Sequence, residues 1–238
     1  MPICLPSFAG TTAPASSVVF NEFSVDFDGT DDFVSTSPFD LTTNKTVSFW
    51  IKFDAINSGG VYLFGKGSPA NYYPYVTGDG KTLYLYSGGI GILSLGETHK
   101  LTAGSWIHLA ITGDGTTARC YKNGVERATG TDRTPTGIDR FAGDSAGGTR
   151  FLNGLMDEVA VWDAELSAAD ITSIYNSGVP NDLSEASSYD TDRTSNLVHW
   201  WRMGENDGGT GTTITDQGSG SNNGTLTNGP TFSTDVPS

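Results

Sequence analysis

The stretch Phe151–Gly178, FLNGLMDEVAVWDAELSAADITSIYNSG, limits the fold more than any other part of the chain. Leu155–Trp162 alternates as a strand, with Leu155, Asp157, Val159 and Val161 on one face and Met156, Glu158, Ala160 and Trp162 on the other. The residues after Trp162 predict a short helix at 167–177. Ser167 is placed as its N-cap, and Asp170 can complete a capping box while its charge suits the positive helix N-terminus. Ile171, Ile174 and Tyr175 form an apolar stripe that needs a larger surface to lie on. Gly178 stands where a left-handed residue is wanted after the helix, and Pro180 forbids continuation. One helix behind a strand, in a chain otherwise patterned as β, reads as a clip closing one end of a sandwich.

Strand patterns recur upstream. Phe23, Val25 and Phe27 alternate with Ser24, Asp26 and Asp28, and Val47, Phe49, Ile51 and Phe53 share a core face opposite Ser48, Trp50 and Lys52. Trp50 is the odd member of that polar face. Further strand-like runs from Val61 to Thr129 are separated by tight-turn dipeptides such as Asp79-Gly80, Asp114-Gly115 and Asn123-Gly124. Thr131–Arg150 reads as a long surface loop with one short strand near Ile138–Ala142. With 238 residues, 31 glycines and 17% charged residues, the chain suits one large all-β domain of two packed antiparallel sheets.

The run GLMDEVAVWDAELSAADITSIYNSG resembles the closing segment of the laminin-G-like, pentraxin-like jelly-roll family, within the concanavalin-A-like lectin/glucanase group. FDGTDDFV (27–34), TVSFWIKF (46–53) and SWIHLAITGDGTTARCYKNG (105–124) match the family's other recurrent pieces in the same order. The resemblance covers about residues 22–178 and implies an all-β, two-sheet antiparallel jelly-roll sandwich with one short helix near 167–177. For function it is broad, because such folds serve as adhesins, glycan binders, accessory modules of enzymes and virion proteins.

Four segments are expected: a flexible or partner-docking arm at 1–20, the sandwich at 21–178, a polar connector at 179–196, and C-terminal strands at 197–233. The run from Leu197 to Phe232 resembles the segment that in this family precedes the FDG strand, yet here it comes after the helix. It reads either as a truncated second copy or as a circular permutation that completes the same sandwich. Both faces of Leu197–Met203 carry apolar residues, and two or three strands do not make a stable domain alone, which favours permutation.

A formal net charge of −14 argues against nucleic acid as a partner. No apolar run reaches membrane-spanning length, so no insertion is expected. Cys4 and Cys120 read as unpaired thiols, although a disulfide between them is compatible with the sequence. The N-terminus, broken by Pro2, Pro6 and Pro14, lacks a charged n-region. For a fold of this kind, that suggests a virion surface or another extracellular setting.

Three chemistries bear on function. Gly143–Gly147 fits GxSxG, but a nucleophile elbow needs a strand before it and a helix after it, and a Gly-rich loop supplies neither. A glycanase needs carboxylates at alternate positions of one strand, and positions 159–162 are apolar, so the protein reads as non-catalytic. Asp26, Asp28, Asp31 and Asp32 put four carboxylates in seven residues without EF-hand spacing. The family resemblance implies a structural Ca2+ between the first long strand and the DEV strand, with Asp28, the Gly29 carbonyl and Asp157 as ligands and Asp31 beside them. Simple turn chemistry is the alternative. Glycan binding would use outward aromatic rings, with Trp50, Tyr84, Tyr86 and Trp106 as ligand-binding candidates and Tyr72 and Tyr73 beside them. The expected partner is a neighbouring structural protein or a surface glycan, and a homo-oligomer is compatible with either. The leading expectation is a structural or adhesive protein of a virion or cell exterior. The alternative is a calcium-dependent, lectin-like module of a secreted protein.

Overall fold

The strands form where branched and aromatic residues alternate with polar ones, a pattern that fits a pleated surface with one buried face. A computed structural model of the chain describes residues 21–66, 72–143 and 148–238. The arm at 1–20, with Cys4, and residues 144–147 of the GxSxG stretch lie outside the described residues. In chain order the first strands are β1 (Ser24–Asp28), β2 (Phe33–Phe39), β3 (Lys45–Ala55), β4 (Val61–Tyr62), β5 (Phe64–Gly65), β6 (Tyr72–Val76), β7 (Thr82–Tyr86) and β8 (Ile90–Ser94). Next come β9 (Ile107–Gly113), β10 (Thr117–Lys122), β11 (Val125–Thr131), β12 (Ile138–Phe141) and β13 (Asn153–Trp162). The last are β14 (Leu197–Trp201), β15 (Thr213–Ile214), β16 (Gly224–Thr227) and β17 (Thr231–Ser233). A one-turn helix, α1 (Gly96–His99), precedes β9, and α2 (Ala168–Tyr175) succeeds β13.

These strands make two antiparallel sheets, the predicted jelly-roll sandwich. One has eight strands in the order β11-β10-β9-β3-β13-β1-β17, with β14 also on β13. The other has nine, in the order β15-β16-β2-β12-β5-β6-β7-β8, with β4 on β6. Val47, Phe49, Ile51 and Phe53 point between the sheets as their alternation predicts, and meet Phe64, Leu83, Leu85 and Phe141 from the facing layer. The stretch 197–233 supplies strands to both sheets: β14 pairs with β13, β16 with β2 and β17 with β1.

The eight-stranded sheet is apolar on its outer face as well. There Ala110, Tyr121, Ala160 and Trp162 are covered by Leu166, Ile171 and Ile174, and by Leu183 and Tyr189 of the connector. The helix begins as predicted: the Asp170 N–H donates to Ser167 Oγ at 3.0 Å and the Ser167 N–H donates to Asp170 Oδ2 at 3.0 Å. It ends earlier than expected, because Asn176, at φ 46°, takes the left-handed position assigned to Gly178. Asn tolerates that conformation better than most residues, so glycine is not required there.

β13 departs from simple alternation. Its N-terminal half lies beside β1 and its C-terminal half beside β14, both on the same edge. Between the halves, the step from Asp157 to Ala160 opposes the shorter step from Trp50 to Ser48 on β3, and Glu158 takes φ 48°. This is a β-bulge. Met156 before it and Val159 and Val161 after it all reach the main core. The expected placement of Asp157 and Glu158 on opposite faces is therefore corrected. The extra residue turns both carboxylates to the outer side, where Glu158 meets Trp200 and Arg202.

A buried ion pair joins the loop after β11 to the start of β3. Lys45 Nζ lies 2.5 Å from Asp132 Oδ2, with both side chains fully enclosed. Asp132 also accepts from the Gly115 N–H at 2.9 Å and from the Tyr73 hydroxyl at 3.3 Å. Burial lowers the Lys45 pKa, and Asp132 pulls it back up. Cys120 is a free thiol in the core, and burial pushes its pKa up to about 12.

Candidate functional site

On the nine-stranded sheet, Leu83, Leu85 and Leu93 point inward, which leaves Tyr84, Tyr86, Ile90 and Ile92 on the outer face. A register shift between Tyr72 and Tyr75 sends Tyr73 into the core and keeps both of its neighbouring tyrosines outward. Tyr73, a candidate for an outward ring, is thus corrected to a core residue. Two rows result: Tyr62, Tyr75, Tyr84 and Ile92 oppose one another across four strands, and Tyr72, Tyr86 and Ile90 form the second. The longer row spans about 14 Å at ordinary strand spacing. Tyr72 stacks on Tyr86 with centroids 5.2 Å apart and on Tyr62 at 4.7 Å. The Arg150 guanidinium sits 5.3 Å from the Tyr62 ring and 5.5 Å from that of Tyr75. Ile90 and Ile92 are 54% and 51% exposed, so the face is wet along its β8 edge.

Tyr84 and Tyr86 are legible in the sequence as outward residues of an alternating strand. Tyr62, Tyr75 and Arg150 are not. Tyr62 lies in a two-residue strand, and Tyr75 shares a face with Tyr72 only because of the register shift. The tyrosine-rich YYPY run is the one signal that could have found them.

Trp50 and Trp106 are far from these rows, on the outer face of the eight-stranded sheet. Trp50 is only 4% exposed. Tyr175 of α2 stacks on it at 5.7 Å with planes 29° apart, and His108 lies at 5.1 Å. A ring expected to face a ligand openly is instead a floor residue beneath the helix. Trp106 is half-buried at the side of the same cleft, whose volume is about 460 Å³. Its Nε1–H donates to Asp235 Oδ1 at 2.8 Å, and Lys52 pairs with Asp235 Oδ2.

The acidic residues separate into two groups. Asp28, Asp31 and Asp32 place carboxylate oxygens within 4.8 Å of one another at the turn after β1. Asp28 Oδ1 accepts from the Thr30 N–H at 2.8 Å, and Asp32 Oδ2 accepts from the Asp28 N–H at 3.0 Å. Burial, and then the charges of Asp28 and Asp31, raise the Asp32 pKa. Gly29, at φ 75°, touches the opposite strand so closely that an added Cβ would lie 2.6 Å from Asn153 Cβ. Such a donor set fits a hard, oxygen-seeking cation.

Asp157 is not part of that set. Asp28 pairs with Asn153, which lies four residues and about 13 Å along β13 from Asp157. The ligand set implied by the resemblance is thus split by the register. Asp157 instead joins Glu158 and Glu205 within 4.8 Å, at the place where β1 and β14 meet end to end on β13. Asn21 Nδ2 donates to Asp157 Oδ2 at 2.8 Å, and Glu158 accepts from Trp200 Nε1 at 2.6 Å and from Arg202 Nε at 3.0 Å. Burial and then its negative neighbours push Asp157 well above the usual carboxylate range. The same causes bring Glu205 to about 7.

A buried pair, Ser48 Oγ and His108 Nε2 at 2.7 Å, has the composition of a nucleophile and its base. Burial lowers the His108 pKa to about 3, its Nδ1 has no partner among the described residues, and α2 with the connector covers it. Such an imidazole is a poor base at neutral pH and lacks the orienting group that nucleophilic catalysis needs.

Two antiparallel sheets, closed by one capped helix and bearing aromatic residues on their outer faces, define a jelly-roll sandwich with the lectin type of fold. The chain belongs to the laminin-G-like branch of the concanavalin A-like lectin/glucanases superfamily, whose profile matches residues 28–172. A Bacteroides ovatus protein, provisionally named for carbohydrate binding, shares the fold with a TM-score of 0.63 at 20% identity, over 91% of this chain. This chain spans 61% of the length of that protein. A heptameric pentraxin of Limulus polyphemus is similar at 18% identity and a TM-score of 0.50, over 65% of this chain and 82% of its own. At these identities the likeness is one of fold. Among curated proteins none matches the sequence.

Proposed function

We propose that this protein is a non-catalytic sandwich that binds glycan through the tyrosine face of its nine-stranded sheet. The observation that carries the reading is the double row of Tyr62, Tyr75 and Tyr84 with Tyr72 and Tyr86, all half-buried on the outer face of the sheet with Arg150 against two of the rings. Tyrosine offers an apolar ring to sugar C–H surfaces and a hydroxyl to sugar oxygens, at low cost in side-chain entropy. A rigid sheet holds these rings in register before any ligand arrives, which reduces the ordering cost of binding. Among the described residues neither carboxylate group suits glycoside hydrolysis. One is enclosed by Arg202 and Trp200, and the other lies on a turn. Screening on a glycan array, followed by titration calorimetry of the best hit, tests the reading. Replacement of Tyr84 and Tyr86 by Ala should weaken binding tenfold or more, and unchanged affinity would overturn it.

The reading includes a structural Ca2+ at Asp28, Asp31 and Asp32, and a place on a cell exterior or virion surface. The second reading, adhesion to a neighbouring protein or to a second copy, is favoured by Ile90 and Ile92. These extend the tyrosine rows with side chains that a sugar does not require and a protein contact would bury. Ile90→Ser with Ile92→Ser should abolish a protein contact, read by analytical ultracentrifugation, and leave glycan affinity within about twofold.

A further inference from the structure

The cleft on the opposite sheet carries its own recognition chemistry. Its polar side is formed by Lys52 and Trp106, its floor by Trp50 and Tyr175, and Asn123 lies at its rim. The strands that carry Lys52, and His108 behind the cleft, are internal to their sheet, since β3 is flanked by β9 and β13. A peptide would therefore find no free strand edge on which to pair. What the cleft presents is a cation, an indole N–H, ring surfaces and the small polar residues Ser105, Ser177 and Ser238. Asn123 engages its side-chain oxygen with the His108 N–H at 3.0 Å, so its amide nitrogen is the group left for a ligand.

One carboxylate already uses this chemistry, and it belongs to the chain itself. Asp235 accepts from Trp106 Nε1 at 2.8 Å through one oxygen and pairs with Lys52 through the other. Its backbone carbonyl accepts from Ser24 Oγ at 2.7 Å, which anchors the segment against β1. Lys52 first, and then Trp106, hold the Asp235 carboxyl below its ordinary range. The Asp235 side chain is 46% accessible, so water reaches the contact and a competitor has a route in.

We infer that this cleft is a second binding site, for a carboxylate-bearing sugar, and that Asp235 stands in for the ligand's carboxylate and restrains its access. A sugar acid would set its carboxylate between Lys52 and Trp106, its ring against the indole of Trp106, and its hydroxyls toward Asn123. A volume of about 460 Å³ is within the usual range for small-molecule sites. The site is separate from the tyrosine face and does not depend on it.

The test is titration calorimetry of the full chain with glucuronate, and with glucose as the neutral control. Asp235→Ala should bind glucuronate at least tenfold more tightly than the unaltered protein and should not gain affinity for glucose. Lys52→Met added to Asp235→Ala should remove the gain. A melting temperature within a few degrees of the parent shows that each variant is folded, and Asp235→Asn, which retains an acceptor for Trp106, serves if Asp235→Ala is not. Equal glucuronate affinity with and without Asp235, or an equal gain for glucose, overturns the inference. So does a gain seen only for an acidic peptide. Repeating the titration with Tyr84→Ala and Tyr86→Ala present separates the two sites: glucuronate binding should persist there even if the tyrosine-face reading fails.

Discussion

Tyr75 and Tyr84 face each other across β6 and β7 with ring centroids 5.9 Å apart and planes 9° from parallel. Such a pair is both a stacking contact and part of a surface, so the two roles can be separated by experiment. Aromatic pairs contribute about 0.5–1.5 kcal/mol beyond their buried area. A double-mutant cycle of Tyr75→Ala and Tyr84→Ala, read by denaturant unfolding, should return a coupling of about that size. A coupling near zero would mean that the rings are held by the sheet alone.

The carboxylates at the bulge give stability a distinct pH dependence. Glu205 moves from its ordinary 4.5 to about 7, and Asp157 moves in the same direction. Between these values the folded state holds protons that the unfolded state has lost, so this contribution is present at low pH and disappears as pH rises through about 7. The melting temperature should fall from pH 5 to pH 8 by more than in Glu205→Gln, in which that proton is no longer exchanged.

Cation binding is expected at the β1 turn and not at the bulge. Millimolar calcium should raise the melting temperature of the unaltered protein and of Glu205→Gln alike, and should leave Asp31→Asn with Asp28→Asn unchanged. At a hundredfold excess over its dissociation constant, one bound ion adds about 2.7 kcal/mol. No shift for any variant in calorimetry with and without EDTA would remove the ion.

Trp201 is fully buried and stacks on His199 with centroids 5.0 Å apart and against Phe141 at 5.2 Å. Trp201→Ala should cost about 3–5 kcal/mol by denaturant unfolding. A chain ending at Ser177 loses all of β14 to β17 and should be insoluble or melt without cooperativity. If that shorter chain melted like the whole, the C-terminal strands would have to be dispensable.

The Lys45–Asp132 pair offers a sharper comparison. Asp132→Ala leaves a buried ammonium unpaired and should destabilise by about 3–5 kcal/mol, whereas replacing both partners by apolar residues of similar volume should cost far less. Equilibrium unfolding of the single and double variants checks both.

Local patterns account for what could be read in advance. The alternation of Val47, Phe49, Ile51 and Phe53 and the Ser167–Asp170 box lie within one strand and one helical turn, and both are present as written in the sequence. The burial of Trp50 was not legible, because its cover comes from Tyr175, on a helix far along the chain. Nor was the grouping of the acidic residues. Asp157 is joined by Asn21 at a separation of 136 residues and Glu158 by Arg202 at 44, and no local spacing encodes such meetings. The tyrosine face falls between these cases: Tyr84 and Tyr86 obey strand periodicity, whereas Tyr72 and Tyr75 share a side through an irregularity in β6.

The extra residue in β13 acts as a frame-shift in three dimensions. Were Glu158 instead paired as a regular strand residue, everything after it would exchange faces, with Trp162 driven toward the interior and Val159 and Val161 toward the helix. The strand would then keep its composition and lose both of its partners, so the fold depends there on a count of residues rather than on their kind.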